Sequence, residues 1–282
     1  MLKLIVVTTK DHMYSNMIIR KLMTLSTVQI VGIVEGVSAI NNKTPLQALY
    51  YYYRVSGLMY VWIQITKMLA FLTLRKACSI LNLRKSIYYP FQKEKDERCA
   101  IIRTKNINAG SVIDKINKLK PDIILSLFTG LIFKVDVLAL PKNGCINLHP
   151  SMLPAYKGVS PVFWSMLNND RRNGATLHHM TDSIDSGLII SQKKARTPEI
   201  ITEHSLYMET VSVSFDILNK YFMGKLATEH ETEIKAGTIS SYCSFPTKKA
   251  VKLFTLKKKK FCYFKEIIFP KYTFDSLFGE KI

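Results

Sequence analysis

The sequence predicts an α/β fold with a doubly wound, mostly parallel sheet. Continuous apolar runs rich in β-branched residues at 2–9 and 28–35 are typical of strands that are buried on both faces. Segments at 15–25 and 111–120 carry apolar residues at helical spacing. Because strands alternate with helices along the chain, we expect a mostly parallel, doubly wound sheet.

The elements follow one another in the order expected of this class. The first run, LKLIVVTT, is too short for a signal peptide and is predicted to be a core strand. The helix at 15–25 should begin at Ser15 or Asn16, either of which can act as its cap. The later predicted elements are a helix at 111–120, a strand at 121–128, a short helix near 131–139 and a strand at 144–149.

Composition indicates a globular protein with anionic partners. The chain has 282 residues, of which 48% are hydrophobic and 22% charged, which excludes a disordered chain. Its formal net charge of +19 favours nucleic acid, phosphorylated small molecules or an anionic membrane, and a generic basic surface is the alternative. Five scattered cysteines without a CxxC pair indicate a reducing compartment, no disulfide framework and no zinc cluster.

The expected organisation is a core at 1–200, interrupted by a helical insertion at 44–98, and a small subdomain at 201–282. The insertion is rich in aromatic and aliphatic residues with interspersed Lys and Arg, and should form two or three helices. Its apolar stretch LMYVWIQITKMLAFLT is shorter than the ~20 residues that span a bilayer. We expect a lid on the core or a homodimer interface, or else peripheral membrane contact through 46–88.

The C-terminal part begins with an amphipathic helix at 202–225 that Thr202 should cap. The tail from Cys243 carries ten lysines against three acidic residues, with aromatic residues between them. This pattern is compatible with a surface for nucleic acid or phosphate groups. The alternative is a short solvated appendage of strand and loop.

The predicted strand at 144–149 ends in Asn147-Leu148-His149-Pro150. Residues i and i+2 of a strand face the same side, so Asn147 and His149 should project together while Leu148 points into the core. Pro150 ends the strand, which places the pair at a carboxyl end, where open α/β sheets form their sites. At this point a reactive pair and a pair of satisfied core polar residues are equal alternatives.

A second segment, at 174–192, is predicted to be a strand, an acidic loop and a strand. The loop carries Asp182 and Asp185 and closes at Gly187. An amide, an imidazole and a carboxylate together suit acyl transfer without a covalent intermediate. The amide can stabilise an oxyanion, the imidazole can move protons, and the carboxylate can orient the imidazole.

The motifs INLHPSMLPAYKG and MTDSIDSG resemble those of the folate-dependent formyltransferases, over roughly residues 100–200. The matching positions are Asn147, His149, Ser151-Met152-Leu153-Pro154, Gly158 and Asp185-Ser186-Gly187. The resemblance implies a Rossmann-like core, 10-formyltetrahydrofolate as co-substrate and no metal. It also implies that Asn147, His149 and Asp185 are the catalytic residues.

The same resemblance implies where the ligands bind. The cofactor-binding candidates are Phe128, Thr129, Gly130, Leu131, Ile132 and Asp182. The substrate-binding candidates are Ser151, Lys157 and Gly158.

Three acceptor amines compete. Glycinamide ribonucleotide enzymes carry a Gly-rich phosphate loop after the first strand, which is absent from TTKDHMYSN at 8–16. Methionyl-tRNA enzymes have Arg-Gly-Ala-Ala-Pro where this chain has YKGVSPVFW, and a longer C-terminal domain. SYCSFPTKKAVKLF at 241–254 is similar to a segment of relatives that act on nucleotide-linked amino sugars, which fits best and suggests a role in surface polysaccharide (lipopolysaccharide) biosynthesis.

Methionyl-tRNA therefore remains the alternative acceptor. A catalytically inactive, membrane-associated binding protein is the alternative of another class. The expected location is the cytoplasm, either free or at the inner face of the membrane.

Overall fold

A computed structural model describes residues 1–37, 40, 42–196, 198, 201–225 and 242–278. Its seven-stranded sheet has the order β3-β2-β1-β4-β5-β7-β8. The strands of this sheet are β1 (Leu2–Thr9), β2 (Val28–Gly36), β3 (Ala100–Thr104), β4 (Ile123–Leu127), β5 (Cys145–His149), β7 (Gly174–His179) and β8 (Ile189–Lys194). A separate pair consists of β6 (Lys157–Gly158) and β9 (Tyr242–Cys243). The pairings from β3 through β5 are parallel and the last two are antiparallel, which confirms the predicted fold class.

Helices lie on both faces of this sheet. The helices of the described residues are α1 (Met13–Leu22), α2 (Pro45–Ser56), α3 (Leu58–Ile80), α4 (Gly110–Lys118), α5 (Val135–Leu138), α6 (Pro161–Leu167), α7 (Glu203–Phe222), α8 (Lys248–Leu256), α9 (Phe264–Ile268) and α10 (Phe274–Leu277). The sheet has a hydrophobic core on each face. Successive residues of β1 point into these two cores in turn, because side chains alternate along a strand. Leu4 and Val6 pack with α1 and α7, whereas Ile5 and Val7 pack with α4.

Two local expectations are wrong, and one strand was not predicted. Helix α1 begins at Met13 and is capped by His12, whose Nδ1 accepts a hydrogen bond from the Ser15 amide. Asn16 lies inside the helix, where its side chain bonds backbone groups of the insertion. The strand β3 was not predicted, because its five residues lie at the edge of the sheet and include exposed Arg103. The tail is helical, in α8, α9 and α10, rather than strand and loop.

The insertion forms two α-helices, α2 and α3, within the predicted two or three, and a 3₁₀ turn follows at Phe91–Lys93. Lys67 of α3 pairs with buried Glu203 of α7, with 3.5 Å between Nζ and Oε2, which ties the insertion to the core. Thr202 caps α7 as expected. The predicted boundary at residue 200 lies outside the described residues and stays a prediction. Within the described ranges, no helix has the length and hydropathy needed to cross a bilayer.

Candidate active site

The candidate site lies at the carboxyl edge of the sheet. Strand order reverses beside β1, and at such a switch point the loops that follow neighbouring strands separate and leave a crevice. Thr9 at the end of β1, Phe128 directly after β4 and His149 at the end of β5 line one cavity of about 570 Å³. The cavity thus forms where the doubly wound topology predicts it.

Asn147 is positioned by its neighbours on both sides. In the sheet register it is paired with Ser126 of β4 and with His178 of β7. Directly paired residues project from the same face, so His178 lies beside the amide, with 3.1 Å between its Nε2 and Asn147 Nδ2. His178 Nδ1 lies 2.8 Å from the carbonyl of His179, which can only accept, so Nδ1 carries the proton and Nε2 accepts from the amide.

The His149 ring is held by the turn that follows β5. Its Nε2 lies 2.9 Å from the Tyr156 carbonyl oxygen, so this nitrogen donates and carries a proton. Nδ1 is therefore the nitrogen that can accept a proton. The turn itself is closed by Ser151 Oγ, which donates to the Ala155 carbonyl, and by Thr176 Oγ1, which donates to the Ser151 carbonyl.

Asp185 joins the two β5 side chains. Its Oδ2 lies 3.4 Å from His149 Nδ1 and accepts a 2.7 Å hydrogen bond from the Gly158 amide. Its Oδ1 accepts a 3.2 Å hydrogen bond from Asn147 Nδ2. Asp185 has a left-handed φ of 48°, which few residues other than glycine adopt, so contacts on several sides hold it in place.

Glycines allow the loop and the turn to approach closely. A Cβ on Gly187 would lie 1.9 Å from the His179 carbonyl oxygen, so a side chain there would push the acidic loop off β7. Gly158 has a φ of +89°, and a Cβ on it would lie 2.4 Å from the Cys243 carbonyl oxygen. That contact is part of the pairing of β6 with β9, which brings the described part of 241–254 to the site.

The electrostatics keep His149 neutral and Asp185 charged near neutral pH. Burial lowers the pKa of His149 below its ordinary value, although attraction to Asp185 opposes this. Burial alone would raise the pKa of Asp185, but attraction to His149 and the hydrogen bond from the Gly158 amide hold it below its usual range. A neutral imidazole beside a carboxylate can accept a proton and is stabilised once it is charged.

The cavity has a donor wall and an aromatic wall. We define the donor wall as residues 128–133 and 180–185 and name it for the predicted formyl donor. It includes all six predicted cofactor residues: Phe128, Thr129, Gly130, Leu131, Ile132 and Asp182. The His12 ring stacks on Phe128 at 5.1 Å between centroids, and burial together with Lys67 lowers the pKa of His12 to about 4. The aromatic wall contains the side chains Tyr52, Tyr60, Tyr207, Tyr242 and Phe245.

The predicted substrate residues are only partly at the cavity. Gly158 lines it, but Ser151 is buried within the turn. Lys157 Nζ bonds Ser186 Oγ at 3.0 Å, at the side of the acidic loop. Sequence reasoning missed His178, which only the antiparallel register places beside Asn147. It also missed Tyr52, Tyr60 and Gln64, which the insertion contributes to the cavity; the aromatic run around Tyr52 was the available signal.

Among the described residues, no cluster of three or more His, Cys, Asp or Glu side chains is arranged to hold a metal ion.

Comparisons with known proteins agree on one family. A family model described as formyl transferase matches residues 68–218. The bifunctional polymyxin resistance protein ArnA of Wigglesworthia glossinidia brevipalpis is 41% identical over 138 residues, 48% of this chain and 21% of that protein. Methionyl-tRNA formyltransferase of Clostridioides difficile is 34% identical over 108 residues, 38% of this chain and 35% of that protein. The chain thus spans between a fifth and just over a third of the length of these two relatives.

Solved structures share the fold. A sugar N-formyltransferase from a Shewanella species has a TM-score of 0.50 and 18% identity, over 86% of this chain and 76% of that chain. A phosphoribosylglycinamide formyltransferase from Anaplasma phagocytophilum has a TM-score of 0.51 and 14% identity, over 86% of this chain and 96% of that chain. Because the family model covers more than half of the chain, the chain belongs to the formyl transferase family, as its motifs indicated.

Proposed function

We propose that the protein transfers a formyl group from 10-formyltetrahydrofolate to a primary amine. The observation that carries this proposal is the contact of Asn147, His149 and Asp185 at the edge of one cavity. In the reaction, a bond forms between the amine nitrogen and the formyl carbon, and the bond from that carbon to the folate nitrogen breaks. The proton lost by the amine ends on the folate nitrogen.

His149 is the proposed proton carrier. Its Nε2 is committed to the Tyr156 carbonyl, so the amine proton passes to Nδ1. The imidazolium formed there lies 3.4 Å from the Asp185 carboxylate, which stabilises it until the proton leaves again. Burial lowers the pKa of His149, which supports this role because it favours a neutral ring before the reaction.

Asn147 is the proposed oxyanion donor. In the free protein its two amide protons are directed at His178 Nε2 and Asp185 Oδ1. The amide hydrogen that is bonded to Asp185 Oδ1 can therefore be donated to the oxyanion instead. The hydrogen bond to His178 continues to hold the amide in place. Removal of one such donor costs about 10²–10³-fold in turnover in other enzymes.

The donor wall fits a folate ring in chemical terms. It combines apolar side chains, Leu131 and Phe133, with a glycine turn and a polar loop that contains Asp182. A folate supplies the activated formyl group, and this wall would orient it toward Asn147. Roles for Phe128, Thr129, Gly130, Leu131, Ile132 and Asp182 in binding it are part of the proposal.

For the acceptor we propose a nucleotide-linked amino sugar, with a role in surface polysaccharide biosynthesis. Support comes from the aromatic wall, on which a base can stack, and from relatives named ArnA and sugar N-formyltransferase. Methionyl-tRNA is the second candidate. The relatives named methionyl-tRNA formyltransferase and the exposed lysines of α8 favour it.

The test combines variants with an acceptor panel. His149→Ala should reduce turnover by at least ~10²-fold, whereas His179→Gln, on the neighbouring β7 position, should retain activity as the matched control. Protein and 10-formyltetrahydrofolate are incubated with nucleotide-linked amino sugars, glycinamide ribonucleotide or methionyl-tRNA, and products are analysed by mass spectrometry. Formylation of the tRNA alone would refute the sugar acceptor, and a fully active His149→Ala variant would refute the mechanism.

A further inference from the structure

The outward side of α3 is an apolar stripe. Its large exposed apolar residues recur at helical spacing at Leu58, Trp62, Leu69 and Ile80, and Met59 and Met68 are exposed beside them. Trp62 has 66% of its surface exposed although tryptophan is normally covered in a folded protein. The inward side of the same helix packs through Tyr60, Val61 and Phe71.

The two threonines on this stripe have their hydroxyl groups bonded within the helix. Thr66 Oγ1 donates to the carbonyls of Trp62 and Ile63, at 3.0 and 2.9 Å. Thr73 Oγ1 donates to the carbonyls of Leu69 and Ala70 in the same way, at 2.6 and 3.0 Å. Because both hydroxyl protons are satisfied within the helix, each threonine can be transferred out of water at low cost.

The stripe continues onto the tail. A groove of about 340 Å³ lies between the start of α3 and α8, and Leu58, Met59 and Leu256 contribute its apolar surface. Lys248 and Lys252 stand at the same groove. Helix α9, which packs on α3, adds exposed Phe264. We call the exposed residues of α3, α8 and α9 together the outer face.

The charge of the outer face has one sign. The sequence has no acidic residue between Glu35 and Glu94, and none from 234 to 265. Lys67, the cation in the middle of α3, is turned inward to Glu203. The exposed cation on the stripe itself is Lys76, near the C-terminal end of the helix. The exposed cations of α2, α3, α8, α9 and the segments that directly follow α3 and α8 are Arg54, Lys76, Arg84, Lys85, Lys248, Lys249, Lys252, Lys257, Lys258, Lys260 and Lys265.

We propose that the outer face docks on the surface of an anionic phospholipid bilayer. Apolar side chains would enter the boundary between headgroups and acyl chains, and the surrounding lysines would pair with lipid phosphates. A second copy of the chain is a poor occupant, because it carries the same net charge of +19 and would bring the same cations to the interface. The inward side of α3 carries Tyr60 and Gln64, which line the candidate active cavity, so docking through the outward side leaves that cavity open.

The test is flotation with vesicles of phosphatidylcholine alone or mixed with phosphatidylglycerol, using the full chain. We expect flotation with the anionic vesicles only, together with a blue shift of fluorescence that Trp62→Phe abolishes. A triple variant, Leu58→Glu with Trp62→Glu and Leu69→Glu, should lose flotation, whereas Val135→Glu, at an exposed apolar residue on α5, should float like wild type. Circular dichroism checks that each variant is folded.

A second variant set addresses charge without touching the apolar stripe. Each of Lys248→Gln, Lys249→Gln and Lys252→Gln should weaken partitioning roughly fivefold, equivalent to about 1 kcal/mol per lysine near an anionic surface. Equal binding to neutral vesicles, no binding to either, or a triple variant that floats like wild type would overturn the proposal. So would a dimer in sedimentation velocity that the triple variant dissociates while no vesicle binding occurs.

Discussion

Asp185→Asn tests the proposed mechanism most directly, because it removes one charge at nearly constant volume. The Asp185 Oδ2 to His149 Nδ1 distance of 3.4 Å corresponds to about 5 kcal/mol of attraction for a charged pair at an effective dielectric constant of about 20. Burial of both groups limits solvent screening, but the pair exists as two charges only while the imidazole holds the proton. Losing part of this attraction should reduce turnover by ~10²–10³-fold.

The pH dependence of the same variant has a defined sign. Asp185 raises the pKa of His149, against the larger lowering by burial, so removing its charge should lower that pKa further. The acidic limb of kcat/KM, which reports protonation of the free imidazole, should therefore move to lower pH. Initial rates across pH, with Asp114→Asn on α4 as the matched control, measure both effects. Wild-type turnover, or an acidic limb that moves upward, would refute the reasoning.

Three further variants test other parts of the site. His178→Phe removes the acceptor that holds the β5 amide, so kcat should fall at least ~10-fold with little change in the acceptor KM. Gly158→Ala should lower the free energy of unfolding in urea by roughly 1–3 kcal/mol more than Gly144→Ala, because both have positive φ but only the first meets a backbone carbonyl. Tyr52→Ala should raise the acceptor KM by about 5–20-fold without changing the donor KM, whereas exposed Tyr53→Ala should change neither.

Each of these predictions has a result that would contradict it. An unchanged kcat in His178→Phe would mean that the amide needs no such support. Equal destabilisation by the two glycine substitutions would mean that the contact with β9 contributes nothing. A higher donor KM in Tyr52→Ala would place the donor, rather than the acceptor, at the aromatic wall.

The sequence predicted the parts of the site that depend on local geometry. Asn147 and His149 lie two apart in a strand, so their shared direction follows from the pleat alone. Asp185 was found through the motif around it, because the spacing of a loop acid from a strand says nothing about its position in space. The start of α1 was misjudged for a similar reason: His12 caps the helix with its ring, and Asn16 serves the distant insertion instead.

Hydrophobic pattern and motif spacing, both properties of neighbouring residues, thus determined the fold class, the strand that ends in an amide and an imidazole, and the family. Only tertiary structure decided that His178 accepts a hydrogen bond from Asn147 and that the Tyr156 carbonyl leaves Nδ1 as the proton-accepting nitrogen of His149. It also decided that the insertion lines the cavity with one side and exposes apolar residues, with lysines nearby, on the other. These relations join residues far apart in the chain. Strand register and helix docking set them, and both depend on how all buried faces pack at once.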